Sequence, residues 1–94
     1  MSTAEKMTAA LDGLMEQLAA IEHERWSHWQ RHLHSQCIRQ DDNGALLIPA
    51  RLVGRWEEQA ATPYGDLPEE QKESDREQVR RYLPLIKAYL RGTL

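Results

Sequence analysis

The 94-residue sequence has no phenylalanine and one cysteine, Cys37. Without phenylalanine, Trp26, Trp29 and Trp56 must supply much of the large aromatic surface. A lone cysteine excludes an internal disulfide and suits a reducing compartment, so a cytoplasmic location is expected. No apolar run approaches the roughly 20 residues that span a bilayer. The stretch from Met1 to Lys6 leads into an amphipathic pattern and not into the apolar core of a secretory signal. A polybasic segment is also missing, and the net charge is -3. Duplex nucleic acid and an anionic membrane are therefore disfavoured as main partners.

The length suits one domain over residues 1–94, with a core that leaves little stability to spare. Hydrophobic residues make up 40% and charged residues 29%, which fits a folded chain and not wholesale disorder. Residues 1–4 read as a frayed start. From about Glu5 to Ser35 the pattern is helical, with Leu11, Leu14, Leu18 and Ile21 on one stripe. Gly13 costs about 1 kcal/mol relative to alanine, which one long helix tolerates. Asn43-Gly44, between Cys37–Gln40 and Ala45–Ile48, predicts a short β-hairpin. Pro49 suits a helix start, and Leu52, Val53, Trp56 and Ala60 give an amphipathic helix over about 50–61. Thr62 to Asp66 has turn chemistry. Pro68 followed by Glu69 and Glu70 predicts a last helix running to about Tyr82, where Pro84 kinks or restarts it. Gly92 sits where a C-terminal cap is expected. The expected fold is mainly α, a small helical domain with one short β-hairpin.

The chemistry is suggested where the apolar stripes stop. Extending the first stripe beyond Ile21 gives Arg25 and then Trp29. Extending the last helix's stripe backward from Leu90, Ile86, Leu83 and Val79 gives Arg76 and then Lys72, with Asp75 beside them. Charges on a core-facing line are costly unless paired or wetted. A second stripe of His23, Trp26 and Gln30 places an imidazole, an indole and an amide on one face. Aromatic surface beside convergent polar groups is how small-molecule pockets are built. Cations near a helix N-terminus favour an anion such as phosphate. Tyr64 lies in the turn before that helix. The same residues also fit plain packing, with stems laid over a core edge and with bridges such as Arg25 to Asp75 or Arg76 to Glu22.

Two other chemistries have weaker support. His28 and His32 stand four apart on a helix, with His34 and Cys37 following, but no second cluster completes a zinc site. No metal and no cofactor is expected. His23 with Glu24 or Asp75 has the makings of a general base, but no activated nucleophile and no Gly-rich phosphate loop accompanies it. A non-enzymatic role is therefore expected. Protein interaction without a small ligand is the alternative, because the stripe from Glu5 to Ile21 is able to pair with a second copy in a homo-oligomer.

These residues also carry a family resemblance. His23-Glu24-Arg25-Trp26 looks like the His-Glu-x-Trp helix that opens the ryanodine-receptor (RyR) repeat domain. The segment Pro63–Arg76 resembles a second motif of that family, sharing Pro63-Tyr64, Leu67-Pro68, Lys72-Glu73 and Asp75-Arg76 in register. The resemblance covers about residues 18–86, leaving 1–17 as an N-terminal helical extension. There are three departures: the family's aromatic segment after the first helix is missing, Ser74 replaces a tyrosine, and Arg25 stands at a usually apolar position. The resemblance implies a small helical module that binds a nucleotide or nucleotide-derived signal, for sensing or for sequestration, as in a phage protein that counters a defence system. For such a ligand, Trp26 and Tyr64 are expected to stack on the base and Arg76 and Lys72 to hold phosphate. Asp75 and His23 would bond ribose or base edges, with Arg25 and Trp29 on the same wall.

Overall fold

The computed structural model describes residues 2–93. In chain order the elements are α1 (Thr3–Asp12), α2 (Met15–Gln36), β1 (Ile38–Arg39), β2 (Leu46–Leu47), α3 (Ala50–Ala61), a 3-10 turn (Tyr64–Asp66) and α4 (Glu69–Thr93). The architecture is thus mainly α with one short hairpin, as the residue pattern predicts.

The ends of the elements differ from that pattern in four places. Residues 2–4 are ordered into the first helix: the Ser2 side chain accepts a hydrogen bond from the Glu5 backbone N–H at 3.1 Å. Ser followed three residues later by Glu is a helix-start signature. The single long helix over 5–35 is divided at Gly13 and Leu14. There the Leu14 N–H bonds the Leu11 carbonyl, three residues back and not four, so the chain tightens for one turn. Pro84 does not end the last helix, which continues to Thr93. Its ring removes one N–H and so leaves the carbonyl four residues back, that of Arg80, without its helical donor. Gly92 accordingly lies inside α4 and does not cap it.

The hairpin follows from Asn43-Gly44. Ile38 pairs with Leu47 and Arg39 with Leu46, antiparallel. Gly44 takes φ 74°, a left-handed conformation that a side chain disfavours. The Asn43 side chain accepts from the Ala45 N–H at 2.9 Å, which fixes the turn locally. The loop is wider than a two-residue turn, because the Gln40 N–H reaches the Ala45 carbonyl.

α1 lies along α4, and α2 runs beside α4 over a shorter stretch. Leu14, at the break between α1 and α2, is the core of that packing, with 0% of its surface exposed. Leu18 and Ile21 on α2 and Tyr82, Leu85, Ile86 and Tyr89 on α4 are half-buried. Leu52 of α3, 4% exposed, is the other buried apolar side chain among the described residues. Two residues make a very small core. The radius of gyration is 18.8 Å and the principal extents are 61 × 34 × 16 Å. A compact domain of this length has a radius of gyration of about 12 Å, and a helix with its side chains is about 10–12 Å across. The chain is elongated and flattened, with its shortest axis at 16 Å.

Two stability outcomes follow. Leu14→Ala removes the most enclosed side chain and should cost about 2–5 kcal/mol in a chemical denaturation series. Gly13→Ala should gain about 0.4–1 kcal/mol in the same series. Its backbone is right-handed at φ -66°, and an added methyl meets the Ala10 and Ala9 carbonyl oxygens at ordinary contact distances of 3.4 and 3.6 Å.

Candidate functional site

A groove runs between the C-terminal half of α2, α3, the 3-10 turn and the first turns of α4. Its larger lobe has a volume of 720 Å³. Trp29, His32 and Gln36 of α2, Leu52, Arg55, Trp56 and Gln59 of α3, Tyr64 of the turn, and Glu70, Gln71, Ser74 and Asp75 of α4 line it. A second lobe of 430 Å³ continues past Arg25, His28, Glu77 and Gln78. Both lobes share Trp29, His32, Gln59, Ser74 and Asp75, so they form one continuous depression.

An aromatic cluster forms its floor. The Trp29 and Trp56 rings meet edge to face, with centroids 5.3 Å apart and an interplanar angle of 69°. This geometry suits the ring quadrupoles. The spacing of Trp56 from Leu52 and Val53 turns it inward from α3, while Trp29 leaves the end of the α2 stripe. His32, one turn beyond Trp29, leans on it with centroids 5.6 Å apart. Around this floor stand three carboxamides, two carboxylates and one guanidinium, that of Arg55.

The structure divides the residues expected from sequence. Trp29, Tyr64 and Asp75 line the larger lobe, and Arg25, Trp29 and Asp75 line the smaller one. His23, Trp26, Lys72 and Arg76 line neither lobe. The His23 and Trp26 rings are stacked at 6.0 Å on the outer side of α2, with Trp26 55% exposed. The Lys72 ammonium lies 5.9 Å from the Tyr64 ring centre and 3.8 Å from a Glu69 carboxylate oxygen, at the margin of the groove. Arg76 donates to Glu69 at 3.0 Å and to Glu73 at 3.3 Å. Trp26 and Arg76, which the stripes suggested as opposite walls of one pocket, thus share neither lobe.

Local carboxylates answer the cations. Hydrogen bonding to Glu69 and Glu73 raises the Arg76 pKa; the Arg76 contact lowers that of Glu69, while Glu73 is lowered by Arg80 first and then by Arg76. The cross-helix bridges considered from sequence, Arg25 to Asp75 and Arg76 to Glu22, are replaced by pairs within one helix: Arg25 bonds Glu22 and Arg76 bonds Glu69 and Glu73. The ties between helices are Arg81 to Glu24 and the Tyr82 hydroxyl to Glu22, the latter at 2.6 Å. Phosphate binding by Arg76 or Lys72 would have to displace these acids, whereas Arg55 has no such partner among the ion pairs of the described residues. Trp56, His32, Gln59 and Arg55 were missed as wall residues. The signal for Trp56, Gln59 and Arg55 lies in the amphipathic pattern of α3, and that for His32 in its place one turn beyond Trp29 on α2; both read equally as packing.

Among the described residues, no three His, Cys, Asp or Glu side chains gather to hold a metal ion. His32 of the His28/His32 pair is turned to Trp29, and the Cys37 thiol donates to the Leu33 carbonyl at 3.1 Å. No helix among them is long and apolar enough to cross a membrane. No protein-family model, curated protein or solved structure matches the chain.

Glu22 gives a pH test. Hydrogen bonds from Arg25 and then Tyr82 lower its carboxyl from the ordinary 4.5 to about 2. A depressed carboxyl contributes stability that is present above 4.5 and is lost as pH falls toward 2. In an acid titration followed by circular dichroism, Glu22→Gln should flatten the loss of stability between pH 4.5 and 2 relative to the parent.

Proposed function

We propose that this chain is a non-catalytic binding module for a flat, nucleoside-like small molecule, with the groove between α2, α3 and α4 as its site. One observation carries the proposal: the Trp29–Trp56 pair forms the floor of a depression rimmed by amides and carboxylates. Its volume of 720 Å³ lies within the range of about 300–1,000 Å³ that small-molecule sites occupy. A base stacked on an indole gains roughly 1–3 kcal/mol. Gln59, Gln71 and Asp75 supply donors and acceptors for base and ribose edges. Arg55 is the groove's cation, and a phosphate would be drawn to it more readily than to Arg76, whose charge Glu69 and Glu73 already meet.

The resemblance to RyR domains in residues 63–76 supports the same ligand class, and sensing or sequestration of a nucleotide-derived signal is the corresponding role. Within the proposal the pocket is shifted from the one the resemblance implies. Trp29, Tyr64 and Asp75 remain, while Trp26, His23 and Arg76 lie outside it.

A thermal-shift panel of mononucleotides, cyclic nucleotides and ADP-ribose derivatives tests the reading. A ligand at a hundred times its Kd stabilises by about 2.7 kcal/mol, a shift of several degrees for a domain of this size. Asp75→Asn should keep the parent's helical content and weaken the responding ligand at least tenfold, whereas Arg76→Ala should leave its affinity within about twofold. No response across the panel, or loss of binding in Arg76→Ala alone, would overturn the assignment of this groove.

A further inference from the structure

We infer that the chain pairs with a second copy of itself across the open face that α2 and α4 present together. The inference rests on packing and does not depend on the ligand proposed above. Two buried apolar residues cannot hold a 94-residue fold by themselves, and domains are stable when two layers of secondary structure enclose a core. The chain is flattened, 16 Å along its shortest axis, and its radius of gyration of 18.8 Å is well above the compact value. Its accessible surface is 7339 Å², about 1,700 Å² more than the roughly 5,600 Å² expected of a compact monomer of 10.9 kDa. An obligate homodimer buries about 2,000–5,000 Å² over both partners. The surplus on two such copies falls inside that range.

Four of the exposed apolar side chains, Met15, Trp26, Val79 and Leu83, mark the face; others, among them Ile38 and Leu47, lie on the hairpin. α2 and α4 run antiparallel: Glu22 bonds Tyr82, while further along α2 Trp29 shares a lobe with Asp75, earlier in α4. At about 100° per residue, Met15 and Trp26 fall on the Glu22 side of α2. Val79 and Leu83 fall on the Tyr82 side of α4, and both sides point the same way. The Arg81–Glu24 pair closes the opposite side. Met15 is 66% exposed and Trp26 55%, and Val79 and Leu83 are also open to solvent. Val79 and Leu83 stand four residues apart, one turn along the same face of α4, while Ile86 and Leu90 further along are half-buried within the single copy. Between the two helices on this face sits Glu22, already bonded to Arg25 and Tyr82. Covering it strands no unpaired charge. A two-fold axis through such a face sets it against itself, as a homodimer requires.

Sedimentation equilibrium and thermal melting over a hundredfold range of concentration test the inference on the unmodified chain. The expected mass is twice 10.9 kDa, with a Tm that rises with concentration. Leu83→Glu, at a position already exposed in the single copy, should shift the mass toward one copy and lower the Tm while far-UV circular dichroism stays helical at high concentration. A one-copy mass throughout, with cooperative melting independent of concentration, would overturn the pairing. So would a chain that stays monomeric and melts without cooperativity until a different protein is added. A larger assembly whose mass Leu83→Glu leaves unchanged would likewise rule out this face.

Discussion

The fold depends on the enclosure of Leu14, the most buried side chain among the described residues, at the break between α1 and α2, both of which lie against α4. Hydrophobic burial contributes roughly 25 cal/mol per Å², and the only other buried apolar side chain among the described residues is Leu52, on α3. The break lets α1 and α2 both lie against α4, which a straight helix of the same length would not allow. Gly13 supplies the local weakness and Leu14 the reason to use it. The surrounding ion pairs, Arg81 to Glu24 and the within-helix pairs of α4, are exposed and individually worth about 0–1 kcal/mol. Only the Arg81–Glu24 pair and the Tyr82–Glu22 hydrogen bond join two helices and so bear on their register.

That constraint explains why the groove lies where it does. α2 is tied to α4 through Glu22 to Tyr82 and Glu24 to Arg81, and α1 also lies against α4. The N-terminal half of α4, with Gln71, Ser74 and Asp75, faces the rear of α2 and the short α3, where large rings and polar side chains leave space instead of filling it. Trp29 is the hinge between these regimes. It is where the stripe that begins as leucine ends as indole, and it touches both the packing of α3 and the open groove.

The element types were legible in the sequence because each rests on local chemistry. Asn43-Gly44 specifies a left-handed turn residue, and Pro49 and Pro68 precede helices. The apolar spacing of three and four admits no strand. The ends were less legible because they depend on neighbours. α4 passes through Pro84, although propensity alone stops it there, and the Gly13 break is chosen by the contact Leu14 makes. The candidate site was partly legible. Charges interrupting a stripe were a sound reason to look near Trp29 and Asp75. They could not reveal that Glu73 and Glu69, one and two turns away, would occupy Arg76. Nor could they reveal that Trp26 would turn to the outside of α2. Periodicity gives the face of a helix, not the partner that face meets.

Pro84 has a mechanical effect on the groove. At the Arg80 carbonyl the ladder of α4 is already short of one rung, so flexing the helix axis at that point sacrifices little that is still in place. The segment before Pro84 borders the groove through Glu70, Gln71, Ser74 and Asp75. A bend there would change the angle at which Asp75 and its neighbours meet the rest of α4, at the cost of few hydrogen bonds.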